Sequence, residues 1–152
     1  TIVPDCAIST DMISGFCSET EEEHEDSKDL MAKVKYDMAY MFFYSERPGT
    51  LAQKKFEDDV PLDVKKRRLS EIIAIQSVSS LEQNQKSIGK TYEVLIEGVS
   101  KKNDQEFKGR TSQNKVVIFP REHYKLADFV KVKIKSCSSA TMIGEVIEKV
   151  EY

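Results

Sequence analysis

The spacing of apolar positions changes period several times along the chain. Residues 7–16 are strand-like and break at Gly15, and the acidic run behind them starts a helix. In Thr20-Glu21-Glu22-Glu23 the threonine hydroxyl can accept from the Glu23 amide while the Glu23 carboxylate reaches back to the Thr20 amide, a capping box. The other acids sit where the helix macrodipole favours negative charge. This helix carries Leu30, Met31 and Val34 and stops near Tyr36 and Asp37. Met38 to Tyr44 is then apolar throughout with no alternation, which predicts a strand buried on both faces. Strand, helix and buried strand form a βαβ unit of a parallel sheet. Ligands of such sheets bind beyond the carboxyl ends of the strands, here Gly15 and the loop Ser45-Glu46-Arg47-Pro48-Gly49-Thr50.

From Asp59 the period returns to that of a helix, with Pro61 in its first turn, a stop at Gly89, and Leu62, Leu69, Ile72, Ile73 and Gln76 on one face. The run Lys65-Lys66-Arg67-Arg68 reads as a solvated face, with a phosphate-contacting patch as the alternative. After Gly89 the period becomes two. Strands are predicted at 91–97, 106–111, 116–119, 129–135 and 141–150, with a hairpin turn at Lys101-Lys102-Asn103-Asp104. Five short strands in so few residues predict a small closed β-barrel, because closure removes the sheet edges.

Two parallel strands close no barrel, and the chain opens on Thr1-Ile2-Val3 without Met. It is therefore read as a piece of a longer protein whose other strands precede Thr1. A composition of 39% apolar and 32% charged residues is that of a globular protein, and no apolar run approaches the ~20 residues of a membrane helix. A cytosolic location and no membrane partner are expected. Cys6, Cys17 and Cys137 match no zinc or disulfide spacing, and His24 and His123 stand far apart, so no metal site is expected. Charge divides the chain: residues 1–88 carry a net −6 and residues 89–152 a net +3, which points to two parts with different partners.

The basic half contains the polar loop Gly109 to Lys115, with Arg110, Thr111, Asn114 and Lys115, next to a strand that places Lys131, Lys133 and Lys135 on one face. Arginine forks, lysine point charges and adaptable side-chain donors suit phosphate, and small barrels suit unpaired RNA. Alternating lysines are equally the mark of a half-exposed strand. Arg47, between a strand and a Pro-Gly turn, is a candidate anion clamp; an ion pair with Glu46 or Asp11 is the alternative. The chain has no P-loop, GxSxG or HExxH, hence no self-sufficient catalytic set.

The segments TDMISGFCSETEEEH, FFYSERPGTLA, VKKRRLSEIIAIQ, NQKSIGKTYEVLIEGVS and GRTSQNKVVIF together resemble the carboxyl-terminal part of the radical S-adenosylmethionine methylthiotransferases. The resemblance implies an α/β plus all-β architecture in three parts. Residues 1–57 would be the last strands and helices of a partial radical-SAM (β/α) barrel and 58–88 a long connecting helix. Residues 89–152 would be a TRAM domain, an OB-like five-stranded antiparallel β-barrel that binds RNA. The activity implied for the parent enzyme is methylthiolation of carbon 2 of N6-isopentenyladenosine next to a tRNA anticodon, using S-adenosylmethionine and two 4Fe-4S clusters. The implied partner is the anticodon stem-loop. A ribosomal-protein aspartate methylthiotransferase and a stand-alone RNA-binding module are the alternatives.

Ile13, Gly15 and Glu19 match the IxGxxxE pattern of the strand along the cofactor's adenine, and Asp11 with Ser45 and Arg47 completes the implied cofactor set. Asp11 and Ser18 stand where related enzymes often have glycine. The implied RNA set is Arg110, Thr111, Asn114, Lys115, Lys131, Lys133 and Lys135. The cluster-ligating CxxxCxxC is not in this sequence, so the chain alone is expected to be inactive and to bind no cluster or cofactor, and its incomplete sheet to self-associate.

Overall fold

The computed structural model describes residues 3 and 5–150, which form two compact units: residues 8–79, and residues 80–150 with the described residues up to Ala7. Among the described residues no helix is long and apolar enough to cross a membrane.

The first unit contains β1 (Ser9–Ser14), α1 (Glu21–Val34), β2 (Met38–Phe43), α2 (Leu51–Lys55) and residues 62–79 of α3 (Leu62–Gln85). β1 and β2 pair in parallel from Ser9↔Met38 to Ser14↔Phe43, the predicted βαβ unit. The capping box is present: the Glu23 amide donates to Thr20 Oγ1 at 3.2 Å and the Thr20 amide to Glu23 Oε2 at 2.8 Å. α1 ends where Lys35 turns left-handed (φ 53°) and donates its amide to the Met31 carbonyl at 2.9 Å.

Two expectations fail here. β2 is not buried on both faces, since Tyr40 and Phe42 are 51% and 57% exposed. Among the described residues the sheet has two strands, with nothing over the face that carries Asp11, Ile13, Tyr40 and Phe42. The inner side of α3 matches the predicted face only in part. Leu62 and Ile73 are exposed, whereas Lys65 and Arg68, expected on a solvated face, are buried together with Ile72 and Gln76 of the predicted one. That stripe keeps helical spacing but is mostly polar, because carboxylates and a carbonyl of the same unit meet it: Asp58 for Lys65, Glu19 for Arg68 and the Tyr36 carbonyl for Gln76.

The second unit is a closed barrel of β3 (Thr91–Val99), β4 (Glu106–Thr111), β5 (Val116–Pro120), β6 (Phe129–Cys137) and β7 (Met142–Val150), in the ring order β3-β4-β5-β7-β6. It is not wholly antiparallel as expected, because β5 and β7 pair in parallel (Val117↔Met142, Ile118↔Ile143). The reason is parity: directions cannot alternate around a ring with an odd number of strands. Alternate positions fill the core with Val94, Ile96, Phe107, Val117, Phe119, Val130, Val132, Ile134 and Met142. Gly109 and Gly144 permit the tight crossings: a Cβ on Gly109 would lie 2.6 Å from the Leu95 carbonyl, and one on Gly144 2.6 Å from that of Lys133.

Candidate functional site

The first candidate site lies at the carboxyl ends of β1 and β2. Gly15 leaves the strand at φ +68°, where a side chain would be strained and would run into the Lys65 stem. Its amide donates to Glu19 Oε2 at 2.7 Å. The same carboxylate oxygen accepts Arg68 Nη1 at 2.7 Å, and Arg68 also donates to the Glu19 carbonyl at 2.9 Å and to Glu21 Oε2 at 3.0 Å. Arg67 bridges Glu21 and Glu71 at 2.8 and 2.7 Å. Hydrogen bonds from Arg67 and then Arg68 lower the Glu21 pKa to about 2, and those from His24 and then Arg67 lower that of Glu71 to about 2. The acidic start of α1 and the basic run of α3 are thus one ion network around the β1 turn. Ser18 is left-handed (φ 63°) and is held by Asp59, which accepts its amide at 2.6 Å and its hydroxyl at 3.1 Å.

Asp11 and Ile13 point from β1 to the uncovered face, with Tyr40 and Phe42 beside them in register. Ser45 and Arg47 follow β2 in an exposed loop. The Arg47 carbonyl accepts from Thr50, whose hydroxyl caps α2, and Glu46 is engaged by Gln53 Nε2 at 3.3 Å. The Arg47 guanidinium has no ion-pair partner among the described residues, so the alternative pairing with Glu46 or Asp11 is not made. The uncovered face therefore offers Ile13, Tyr40 and Phe42 with the Asp11 carboxylate among them, and a cation in the loop after the neighbouring strand.

The second candidate site is the barrel wall. Arg110, Thr111, Asn114 and Lys115 come together in the β4–β5 turn: Arg110 Nη1 donates to Asn114 Oδ1 at 2.8 Å, and the Lys115 amide to Thr111 Oγ1 at 3.2 Å. Asn114 holds the left-handed position of that turn (φ 61°), and Thr111 is buried. Glu97 takes Arg110 at 3.1 Å and Lys108 at 3.3 Å. Lys131, Lys133 and Lys135 do share one side of β6. Glu148 holds Lys131 at 2.5 Å and Glu145 holds Lys135 at 2.6 Å, leaving Lys133 as the one of the three with no ion pair among the described residues.

Against known proteins, residues 85–147 match the TRAM domain family. Similarity to curated proteins runs through both units. The tRNA-2-methylthio-N(6)-dimethylallyladenosine synthase of Amoebophilus asiaticus is 58% identical over 142 residues, 93% of this chain and 29% of that protein. The synthase of the same name from Bacteroides thetaiotaomicron is 58% identical over 95% of this chain and 32% of its own length. That of Flavobacterium psychrophilum is 54% identical over 96% and 30%. Over nearly its whole length the chain is thus similar to a part of the tRNA-2-methylthio-N(6)-dimethylallyladenosine synthases. It spans about three tenths of the length of these curated relatives. Among solved structures, a conserved Methanococcus maripaludis protein overlaps 40% of this chain and 80% of its own at 24% identity and a TM-score of 0.34.

Within this chain, the six residues expected at the cofactor divide into two sets. Asp11, Ile13, Ser45 and Arg47 are exposed, whereas Gly15 and Glu19 are engaged with Lys65 and Arg68 of α3. Lys65 and Arg68, which shape this turn, were not among the predicted site residues. Their signal was the three-residue spacing inside the basic run, set against acids at 19 and 21.

Proposed function

We propose that the chain is the carboxyl-terminal part of a tRNA methylthiotransferase that acts on carbon 2 of N6-isopentenyladenosine beside the anticodon. Residues 1–57 would complete a radical-SAM barrel, 58–88 connect, and 89–152 bind the anticodon stem-loop. One observation carries the reading: identity of 53% to 58% to synthases named for that nucleoside extends over both units rather than over the barrel alone. The same extent weighs against a stand-alone RNA-binding module. The net +3 of residues 89–152 weighs against docking on a basic ribosomal protein.

Ile13 and Asp11 fit the cofactor's adenosine, because their uncovered strand face sets exposed apolar side chains beside a carboxylate that can accept hydrogen bonds. Arg47, unpaired at the next strand end, fits its carboxylate or a substrate phosphate. Gly15 and Glu19 serve by fixing the turn through Arg68. S-adenosylmethionine with two 4Fe-4S clusters supplies the radical and sulfur chemistry when bound in the whole enzyme. This chain's residues bind and orient. On the barrel wall, Arg110 with Asn114 and Lys115, and Lys133 between its paired neighbours Lys131 and Lys135, would meet backbone phosphate while buried Thr111 shapes the turn.

The test is a titration of the chain with a labelled anticodon stem-loop at several salt concentrations. Log affinity is expected to fall linearly with log salt, by about 0.7 to 0.9 per phosphate contact. Absence of binding at low salt would remove the RNA reading. Replacing Arg110 and Lys133 by Ala should lower the slope by at most about 2, since each can release no more than one contact's counterion.

A further inference from the structure

The chain's excess positive charge is not where the strand pattern puts it. Residues 89–152 hold twelve Lys and Arg. Lys108 and Arg110 are taken by Glu97, Lys131 by Glu148, Lys135 by Glu145 and Lys149 by Asp128. Lys115 also has a partner. Six cations then have no ion pair among the described residues, and four of them, Lys101, Lys102, Arg121 and Lys125, lie on one rim of the barrel.

That they share a rim follows from the register. β3 ends at Val99 opposite Phe107, β4 begins at Glu106 opposite Pro120, and the Arg121 amide donates to the Gln105 carbonyl at 2.7 Å. The β3–β4 hairpin and the loop before β6 are therefore adjacent, at the end opposite to the Arg110–Lys115 turn. Of the acids of this rim, Asp104 and Glu122 have no ion pair among the described residues, Asp104 accepting the Gln105 side-chain amide at 3.1 Å; Asp128, at the end of the same loop, pairs with Lys149 at 2.8 Å and accepts the Lys125 amide at 2.9 Å.

The rim also has fixed flat groups. The exposed His123 ring lies 4.3 Å from the Tyr124 ring at a tilt of 36°, and Tyr124 is anchored against the barrel core. The Arg121 guanidinium lies 5.4 Å over the ring of buried Phe107, which holds its plane at the barrel mouth. Uncommitted cations suit phosphates, and an exposed ring backed by a second one suits an unstacked base; the two together are the requirements of single-stranded nucleic acid.

We propose that this rim, formed by residues 100–105 and 121–126, is a second RNA contact that takes unpaired loop nucleotides. The proposal rests on the reading that the barrel binds RNA, and it gives the rim a larger share of that binding than the wall. A fully paired helix could reach the cations but not the ring.

The experiment uses the full chain with two labelled probes, an RNA stem-loop and a perfect duplex of the same stem. The fourfold variant Lys101→Ala, Lys102→Ala, Arg121→Ala, Lys125→Ala should lower the salt slope on the stem-loop by about 3, four contacts at roughly 0.7 each. His123→Ala should weaken the stem-loop at least about fivefold and leave the duplex unchanged. His123 is exposed, so this single variant decides the matter if the fourfold one fails to fold. Wild-type binding with an unchanged slope in the folded fourfold variant, or with equal effects of His123→Ala on both probes, overturns the proposal and leaves RNA binding by the barrel intact. Failure of the wild-type chain to bind either probe removes the underlying reading instead.

Discussion

Replacing Arg68 by Ala should cost the first unit far more than replacing its neighbour Arg67. The Arg68 side chain is 5% exposed and donates three hydrogen bonds, two to Glu19 and one to Glu21. A hydrogen bond to a charged group contributes about 1.5 to 3 kcal/mol when shielded from water, and an exposed ion pair about 0 to 1. The two bonds to Glu19 are shielded, while the one to half-exposed Glu21 is not. Arg68 Nε is buried without a partner, and removing the guanidinium also removes its own desolvation cost, so the sum is trimmed. The net expectation is a loss of about 3 kcal/mol, since Glu19 is left 13% exposed with only the Gly15 amide to face it. Arg67, roughly half exposed, should lose under about 1 kcal/mol on replacement by Ala.

Because the chain has two units, a local probe is preferable to a global melt. Hydrogen exchange of the Gly15 amide reads the turn directly. A loss of about 3 kcal/mol should speed its exchange roughly 100-fold in Arg68→Ala, against less than about fivefold in Arg67→Ala. Equal protection of Gly15 in the two variants would show that the buried ion network does not hold the turn.

The remaining predictions concern acid and the barrel. Glu21 and Glu71, both lowered from 4.5 to about 2 in the folded state, lend stability that is complete above about pH 4.5 and is lost as pH falls towards 2. The melting temperature followed by circular dichroism should therefore decline through that window, and Arg67→Gln should shrink the decline; a flat profile would contradict the network. Gly144→Ala should destabilise the barrel by about 1 to 3 kcal/mol, because the new Cβ would meet Val132 Cγ1 at 2.5 Å and the Lys133 carbonyl at 2.6 Å. Gly98→Ala, with open space around it, is the control, and equal urea midpoints for the two would refute the packing argument.

What the sequence made legible was local. The capping box of α1 needs four consecutive residues, and the βαβ order and the five barrel strands need only a period and a turn signal. The inner face of α3 was legible only at Ile72 and Gln76, because an apolar period does not mark buried cations. Lys65 and Arg68 face inward only because their partners come from elsewhere in the unit, in the case of Glu19 from 49 residues away. The uncovered face of β2 was hidden for the converse reason. An unbroken apolar run states what the strand can bury and not what covers it. The parallel β5–β7 pair, by contrast, was derivable, since five strands in a closed ring require one parallel neighbour.

For the RNA surface the difficulty was one of commitment rather than position. Lys131, Lys133 and Lys135 do lie on one face, as their alternation requires, but β7 sets Glu145 and Glu148 beside them, the register shift at Lys131/Val132 bringing both acids to that side. Read one strand at a time, the pattern counts charges; the field met by a phosphate depends on those not already neutralised by a neighbour. That distinction appears only once the register is known, and the register is shifted by the irregularities at Lys131/Val132 and Ile134/Ser136. Loops lack this cross-strand neutralisation, because no regular partner runs alongside to supply alternating carboxylates. A barrel whose walls are charge-paired and whose loops are not will show its net charge at its rims, so a search for its ligand should start at Lys101 and Arg121 rather than at the strand with the most lysines.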